Sequence, residues 1–136
     1  MKALLFLLPI FKYSIPRNTR IEPEQRICIE ISNKLKELSV TGKYKGVWFH
    51  VANEGKRSKI VACLLKAMGL HSGVSDYVFV WSGGALFAEI KVKGNSPTTN
   101  QKIFKKWCEE VGLEYQVFYD CESLLERLIE KKAIIT

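Results

Sequence analysis

The chain has little of what marks a zinc protein, a secreted disulfide scaffold or a membrane-spanning protein. Its four cysteines, Cys28, Cys63, Cys108 and Cys121, stand far apart, with no CxxC pair and no cysteine-histidine spacing suited to zinc. That pattern points to reduced, structural thiols and away from secretion. Cys28 and Cys63 lie among apolar residues at helical spacing, where cysteine behaves as a small hydrophobe. No apolar run reaches the roughly 20 residues that a membrane-spanning helix needs. The opening MKALLFLLPIFKYS, with Lys2 followed by nine apolar residues, has the charged start and apolar core of a signal peptide. Pro9 interrupts that run and no small-residue cleavage site follows Phe11, so a buried N-terminal strand or a docked, partner-covered segment is expected instead. Internal repeats and low-complexity tracts are also missing.

Negative charge is in short supply. Fourteen acidic residues face 21 basic ones, giving a formal net charge of +7 and a pI near 9.3, which favours a polyanionic partner, nucleic acid first and an acidic membrane surface second. The basic residues are spread from Lys34 to Lys106 rather than gathered in one tail, as suits a basic face on a folded body. With 136 residues, 47% of them hydrophobic and 26% charged, the chain fits one compact domain and is too apolar to be disordered.

Pro16 and Pro23 bracket a polar connector. Pro23 then opens a helix predicted over residues 23–39, where Glu24 meets the positive end of the helix dipole and Ile27, Ile31, Leu35 and Leu38 recur at helical spacing. A β-rich run predicts a strand from Val47 to Val51. Ser58 is placed to cap a helix running through Ile60, Val61, Leu64, Leu65 and Met68 to Gly69. Residues 73–94 read as a hairpin. Thr98 or Thr99 starts a third helix carrying Ile103, Phe104, Trp107 and Val111, closed by Gly112. YQVFY (115–119) is a short strand, and Ser123 to Lys132 a last helix with Leu124, Leu125, Leu128 and Ile129 inward. The order α-β-α-β-β-α-β-α predicts an α/β fold, a small mixed sheet flanked by helices.

The hairpin carries charges where apolar residues are expected. With Gly83 and Gly84 at the centre of its turn, Val78 lies opposite Glu89 and Asp76 opposite Lys91. With Ser82 and Gly83 there instead, Asp76 lies opposite Glu89. Either way Asp76, Val78, Glu89 and Lys91 share one face, because side chains alternate along a strand. Two carboxylates so close repel each other, and burial among Phe87, Ala88, Ile90 and Val92 adds a desolvation cost. Lys91 offsets part of it. A hard divalent cation, Mg²⁺ or Mn²⁺, is the better neutraliser of paired oxygen ligands. From spacing alone, a structural Asp-Glu-Lys network at a sheet edge fits equally well.

Asp76 followed by Glu89-Ile90-Lys91 resembles the D…(D/E)xK signature of the PD-(D/E)xK nucleases. The ordered blocks WFH (48–50), NEGKRS (53–58), MGLHSGVSD (68–76), AEIK (88–91) and Gln101 resemble the VRR-NUC domain, the virus-type replication-repair nuclease module, here in its stand-alone phage or bacterial form. Ser75 stands where that family often has proline, a change of loop stiffness more than of chemistry. The resemblance implies a restriction-endonuclease-like core over residues 22–132, preceded by an apolar segment and connector over residues 1–21. It implies a Mg²⁺- or Mn²⁺-dependent deoxyribonuclease, structure-selective and akin to a Holliday-junction resolvase, acting on branched DNA as a cytoplasmic homodimer with no membrane partner. Asp76 and Glu89 become metal ligands with the Ile90 carbonyl, and Lys91 the catalytic lysine. Glu24 becomes the acid of the first helix, ahead of Glu22 and Glu30, and Gln101 helps shape the site. Lys56, Arg57, Ser58 and Lys93 contact DNA, and His50 and Asn53 support the site. A helix-start carboxylate, a surface glutamine, a hydrogen-bonded core histidine and a solvated basic loop are the plain alternatives for Glu24, Gln101, His50 and residues 56–57. Two other functions fit the same chain: an inactive nucleic-acid-binding domain of this fold, and a sequence-specific restriction-type endonuclease, for which so small a chain leaves little room.

Overall fold

The computed structural model describes residues 2–52 and 57–136. A 3-10 turn (Leu5–Leu7) and a helical turn α1 (Leu8–Phe11) precede α2 (Pro23–Val40), β1 (Gly46–His50), α3 (Lys59–Ala67), β2 (Tyr77–Trp81), β3 (Gly84–Ile90), α4 (Thr99–Glu110), β4 (Glu114–Phe118) and α5 (Cys121–Glu130). The strands form one mixed sheet in the order β1-β2-β3-β4, antiparallel except for the parallel β3–β4 pair that α4 connects. The α/β class and the element order from residue 23 onward are as expected.

Alternation along the strands gives the sheet two working faces. Tyr77, Phe79, Leu86, Ala88, Ile90 and Phe118 point to one side, where Ile31 and Leu35 of α2 and Leu124 and Leu128 of α5 close the main core. Arg127 of α5 grips both carboxylate oxygens of Glu114 at 2.7 and 2.9 Å and so fixes α5 to β4. On the other side Phe87, Tyr115 and Val117 meet Phe104 and Cys108 of α4, with the Phe87 and Phe104 rings edge-on at 5.7 Å.

Four expectations are corrected. The hairpin turns through Ser82 and Gly83, pairing Trp81 with Gly84, so the register centred on Gly83 and Gly84 is not adopted. Glycine opposite Trp81 leaves room for the indole, which a Cβ on Gly84 would meet at 3.3 Å. The N-terminal segment is helical, not a buried strand: Pro9 sits in the first turn of α1, where its missing N–H costs nothing, whereas in a strand it would break the ladder. It anchors through the Leu4 N–H to the Val40 carbonyl at 2.7 Å and the Phe11 ring against Trp48, while Phe6 and Ile10 stay three-quarters exposed. In α3 no residue is buried, so Cys63 is exposed rather than in a core. On α4 only Phe104 and Cys108 are buried; Ile103, Trp107 and Val111 face outward.

Candidate active site

Both flanking layers aim a helix N-terminus at the end of the sheet where β2 begins and β3 ends. Asp76 is the residue just before β2, and its carbonyl accepts the Val51 N–H at 2.8 Å, which continues the β1–β2 ladder by one step. The observed register, carried one residue further, sets Asp76 opposite Glu89. Asp76 Oδ2 accepts the Ile90 N–H at 2.7 Å, so the carboxylate is oriented by the backbone of the strand that carries its partner. Glu89 is 2% exposed and accepts a hydrogen bond from the Tyr115 hydroxyl of β4 at 3.2 Å. Burial is the main cause that pushes the Glu89 carboxyl up to about 9, and the hydrogen bond and charge of Asp76 add to it; Lys91 and Tyr115 act in the opposite sense. Tyr115 is itself pushed up, first by burial and then by the charge of Glu89.

Asp76, Glu89 and Lys91 line one cavity of about 240 Å³, together with Glu24, Gly73 and the first turn of α4. Glu24 enters from the first turn of α2, where Pro23 starts the helix and a capping box between Glu22 and Gln25 closes it. Glu22 is occupied by that cap and by Arg20 at 3.0 Å, and Glu30 lies further along the helix. Gln101 also lines the cavity, but its side-chain carbonyl accepts the Thr98 N–H at 2.8 Å while the Thr98 hydroxyl accepts the Gln101 N–H at 3.2 Å. Gln101 is therefore part of the N-terminal cap of α4, a role that the T-x-x-Q spacing of residues 98–101 signals. Gly73, at φ +86°, lies directly against the Asn100 backbone, where no side chain fits.

The remaining candidates are dispersed. His50 is exposed at the end of β1 with its ring 5.0 Å from that of Tyr77, so the core-histidine reading is corrected. Arg57 and Lys93 are exposed, and Arg57 donates to the Ala52 carbonyl at 3.4 Å. The Ser58 hydroxyl caps α3 by accepting the Val61 N–H at 3.2 Å. Asn53 and Lys56 lie outside the described residues. Tyr115 and Gly73 were not among the candidates. No local pattern marks Tyr115, which reaches Glu89 only because β4 pairs with β3.

Among the described residues no three His, Cys, Asp or Glu side chains converge closely enough to hold an ion by themselves, which does not suit zinc. Two adjacent carboxylates, one deeply buried, suit Mg²⁺ or Mn²⁺, ions that take one or two carboxylates and complete their shell with water and substrate oxygens.

A solved structure described as a VRR_NUC domain superposes on the chain with a TM-score of 0.52 at 18% sequence identity, covering 79% of this chain and 95% of that one. The fold is that of a VRR_NUC domain. Its small mixed sheet flanked by helices matches the architecture expected from the sequence. No protein-family model matches the sequence, and no curated protein does. Among the described residues no helix is long and apolar enough to cross a membrane.

Proposed function

We propose that this VRR_NUC-fold chain is a Mg²⁺- or Mn²⁺-dependent, structure-selective DNA endonuclease that hydrolyses phosphodiester bonds in branched DNA, in the manner of a Holliday-junction resolvase. The observation that carries this reading is the joining of Asp76, Glu89 and Lys91 in one cavity at a strand end, with Glu89 buried and its carboxyl pushed up to about 9. A structural ion network would gain nothing from a carboxyl that prefers to be neutral; a metal site keeps one because bound charge reverses that preference.

In this reading Asp76, Glu89 and the Ile90 carbonyl hold the cation, and Glu24 completes the acidic wall. When bound, the ion supplies Lewis-acid polarisation of the scissile phosphate and stabilises the charge that develops there. The Ile90 N–H holds Asp76 in one orientation, and the Tyr115 hydroxyl does the same for Glu89. Lys91, half-buried on the same wall, orients the attacking water and stabilises the negative phosphate oxygens. The cap formed by Thr98 and Gln101 presents the N-terminus of α4 to the same cavity, a setting that favours phosphate. Arg57, Lys93 and, beyond the described residues, Lys56 draw the DNA backbone in through charge, independently of base sequence.

Two symmetric cuts require two sites, which supports a homodimer. The exposed apolar side chains Ile60 and Leu64 of α3, with Met68 at its C-terminal cap, and Phe6 and Ile10 of the N-terminal segment are surfaces that a second copy would cover. In the same reading the substrate is bacterial or phage DNA and the chain works in the cytoplasm. The test is cleavage of a four-way junction, a flap and a linear duplex with Mg²⁺, Mn²⁺ or EDTA, alongside sedimentation at micromolar concentration. Metal-dependent cutting that favours the branched DNAs supports the reading. Binding without cutting under every condition supports the inactive-domain alternative, and a monomeric profile removes the paired-cut mechanism.

A further inference from the structure

A second cavity, of about 470 Å³, lies beside the carboxylate pair, and the chemistry above makes no use of it. It opens between the connector at residues 15–21 and α2, and it shares two walls, Glu24 and Asp76, with the smaller cavity that holds Glu89 and Lys91. Ile15, Ile29 and Val51 make its sides apolar. Behind it lies Tyr77, buried and held by the hydrogen bond that its hydroxyl donates to the Cys28 carbonyl at 2.9 Å. The exposed His50 ring stands 5.0 Å from Tyr77, and Arg20 lies at the rim, steadied by Glu22 at 3.0 Å.

We propose that this cavity accepts one unpaired nucleobase of the strand whose phosphate lies at Asp76 and Glu89. The inference rests on the nuclease reading for where that phosphate sits. Because Glu24 and Asp76 wall both cavities, a nucleotide bound with its phosphate on the carboxylate side has its sugar and base at the mouth of the second. The volume falls within the range of about 300–1,000 Å³ typical of pockets that enclose small ligands. Apolar sides and the exposed His50 ring suit the faces of any nucleobase, and Arg20 at the rim suits its edges. The chain's charge of +7 suits the polyanion to which that base is attached. A base stacked and paired inside a duplex must be extruded to enter, whereas one at a bulge or branch point is already free of its partner. The cavity would thus make the enzyme select branched DNA without reading its sequence.

The test uses a duplex with one bulged 2-aminopurine, bound by the full chain in Ca²⁺, with acrylamide as the quencher. The proposal expects the bound base to be shielded several-fold from acrylamide by the wild type. It expects that shielding to disappear in Ile29→Phe and in Ile15→Trp, the second variant altering only the exposed connector and so sparing the packing of α2. Replacing the bulged nucleotide with an abasic one should weaken wild-type binding about 10-fold, within the range measured for base-aromatic stacking, and leave binding by both variants unchanged. Equal quenching in the wild type and the variants, or equal affinity for base-bearing and abasic DNA, would overturn it. Cleavage of the same duplex in Mn²⁺ separates this inference from its foundation. Shielding without cutting retains the base site and rejects the nuclease; cutting without shielding does the reverse.

Discussion

Replacing Glu89 with glutamine should stabilise the metal-free protein, and by an amount that grows with pH. The carboxyl is raised from its ordinary 4.5 to about 9 in the folded chain, chiefly by burial. A raised folded value means that the stability Glu89 contributes is fully present below about pH 4.5 and is lost progressively as pH rises towards 9. Folding at neutral pH must therefore carry a proton onto this group, at about 1.4 kcal/mol for each pH unit above the unfolded value. At pH 7 that cost is on the order of 3 kcal/mol, and above pH 9 it levels off near 6 kcal/mol. Glutamine needs no proton. It has the shape of the neutral acid, keeps a carbonyl for the Tyr115 hydroxyl and offers an N–H to Asp76, so both hydrogen bonds survive. Thermal unfolding of wild type and Glu89→Gln in EDTA from pH 5 to pH 9 measures the effect. The variant should melt higher by roughly 10 °C at pH 7, scaling about 3 kcal/mol for a domain of this size, and the gap should widen with each pH unit. A gap that does not change with pH, or a variant less stable than wild type at pH 8, would refute the assignment of Glu89 as a buried, proton-seeking acid.

Other consequences follow from the same geometry. Mn²⁺ at 100 times its dissociation constant should stabilise the wild type by about 2.7 kcal/mol in calorimetric melts, and Glu89→Gln or Asp76→Asn should lose that gain. Gly73→Ala forces a side chain against the Asn100 backbone at a positive φ, so urea unfolding should show a loss of at least about 1 kcal/mol, with the N-terminus of α4 displaced and any cutting activity reduced further than stability. Thr98→Ala removes one arm of the α4 cap and should cost about 1 kcal/mol in the same assay; Thr98→Ser should restore it.

The hairpin shows how far sequence reasoning reaches. Alternation placed Asp76, Glu89 and Lys91 on one face whichever turn was chosen, because the two registers differ by an even step, and the observed Ser82–Gly83 turn keeps that face. Which turn is used depends on how Trp81 fits over Gly84, a packing detail that no periodicity encodes. Helices α2 and α5 were legible from apolar spacing because each buries a stripe against a sheet that the chain itself provides, although Ile129 of α5, expected inward, is exposed, and of the expected α4 stripe only Phe104 is buried. The α3 pattern was equally clear, yet it buries nothing here: an apolar stripe says that a face seeks cover and not what covers it. Glu24 was chosen from three acids of the first helix, and it is the one that lines the cavity with Asp76 and Glu89. The hydrogen bond from Tyr115 to Glu89 spans 26 residues and depends on β4 pairing with β3, so no local signal announces it. The capping role of Gln101 was available in the T-x-x-Q spacing but lay hidden beneath its resemblance to a site residue.

The central claim is that Asp76, Glu89 and Lys91 form a hydrolytic centre, and Lys91→Ala tests it most directly, since the lysine side chain is half-buried and its loss leaves both carboxylates in place. Single-turnover cleavage of a four-way junction in Mn²⁺ should be at least 100-fold slower for the variant than for wild type, as expected for a group that assists proton transfer or orients water. Affinity for the junction, measured in Ca²⁺, should change no more than a few-fold. A Lys91→Ala protein that cuts at the wild-type rate would contradict the account.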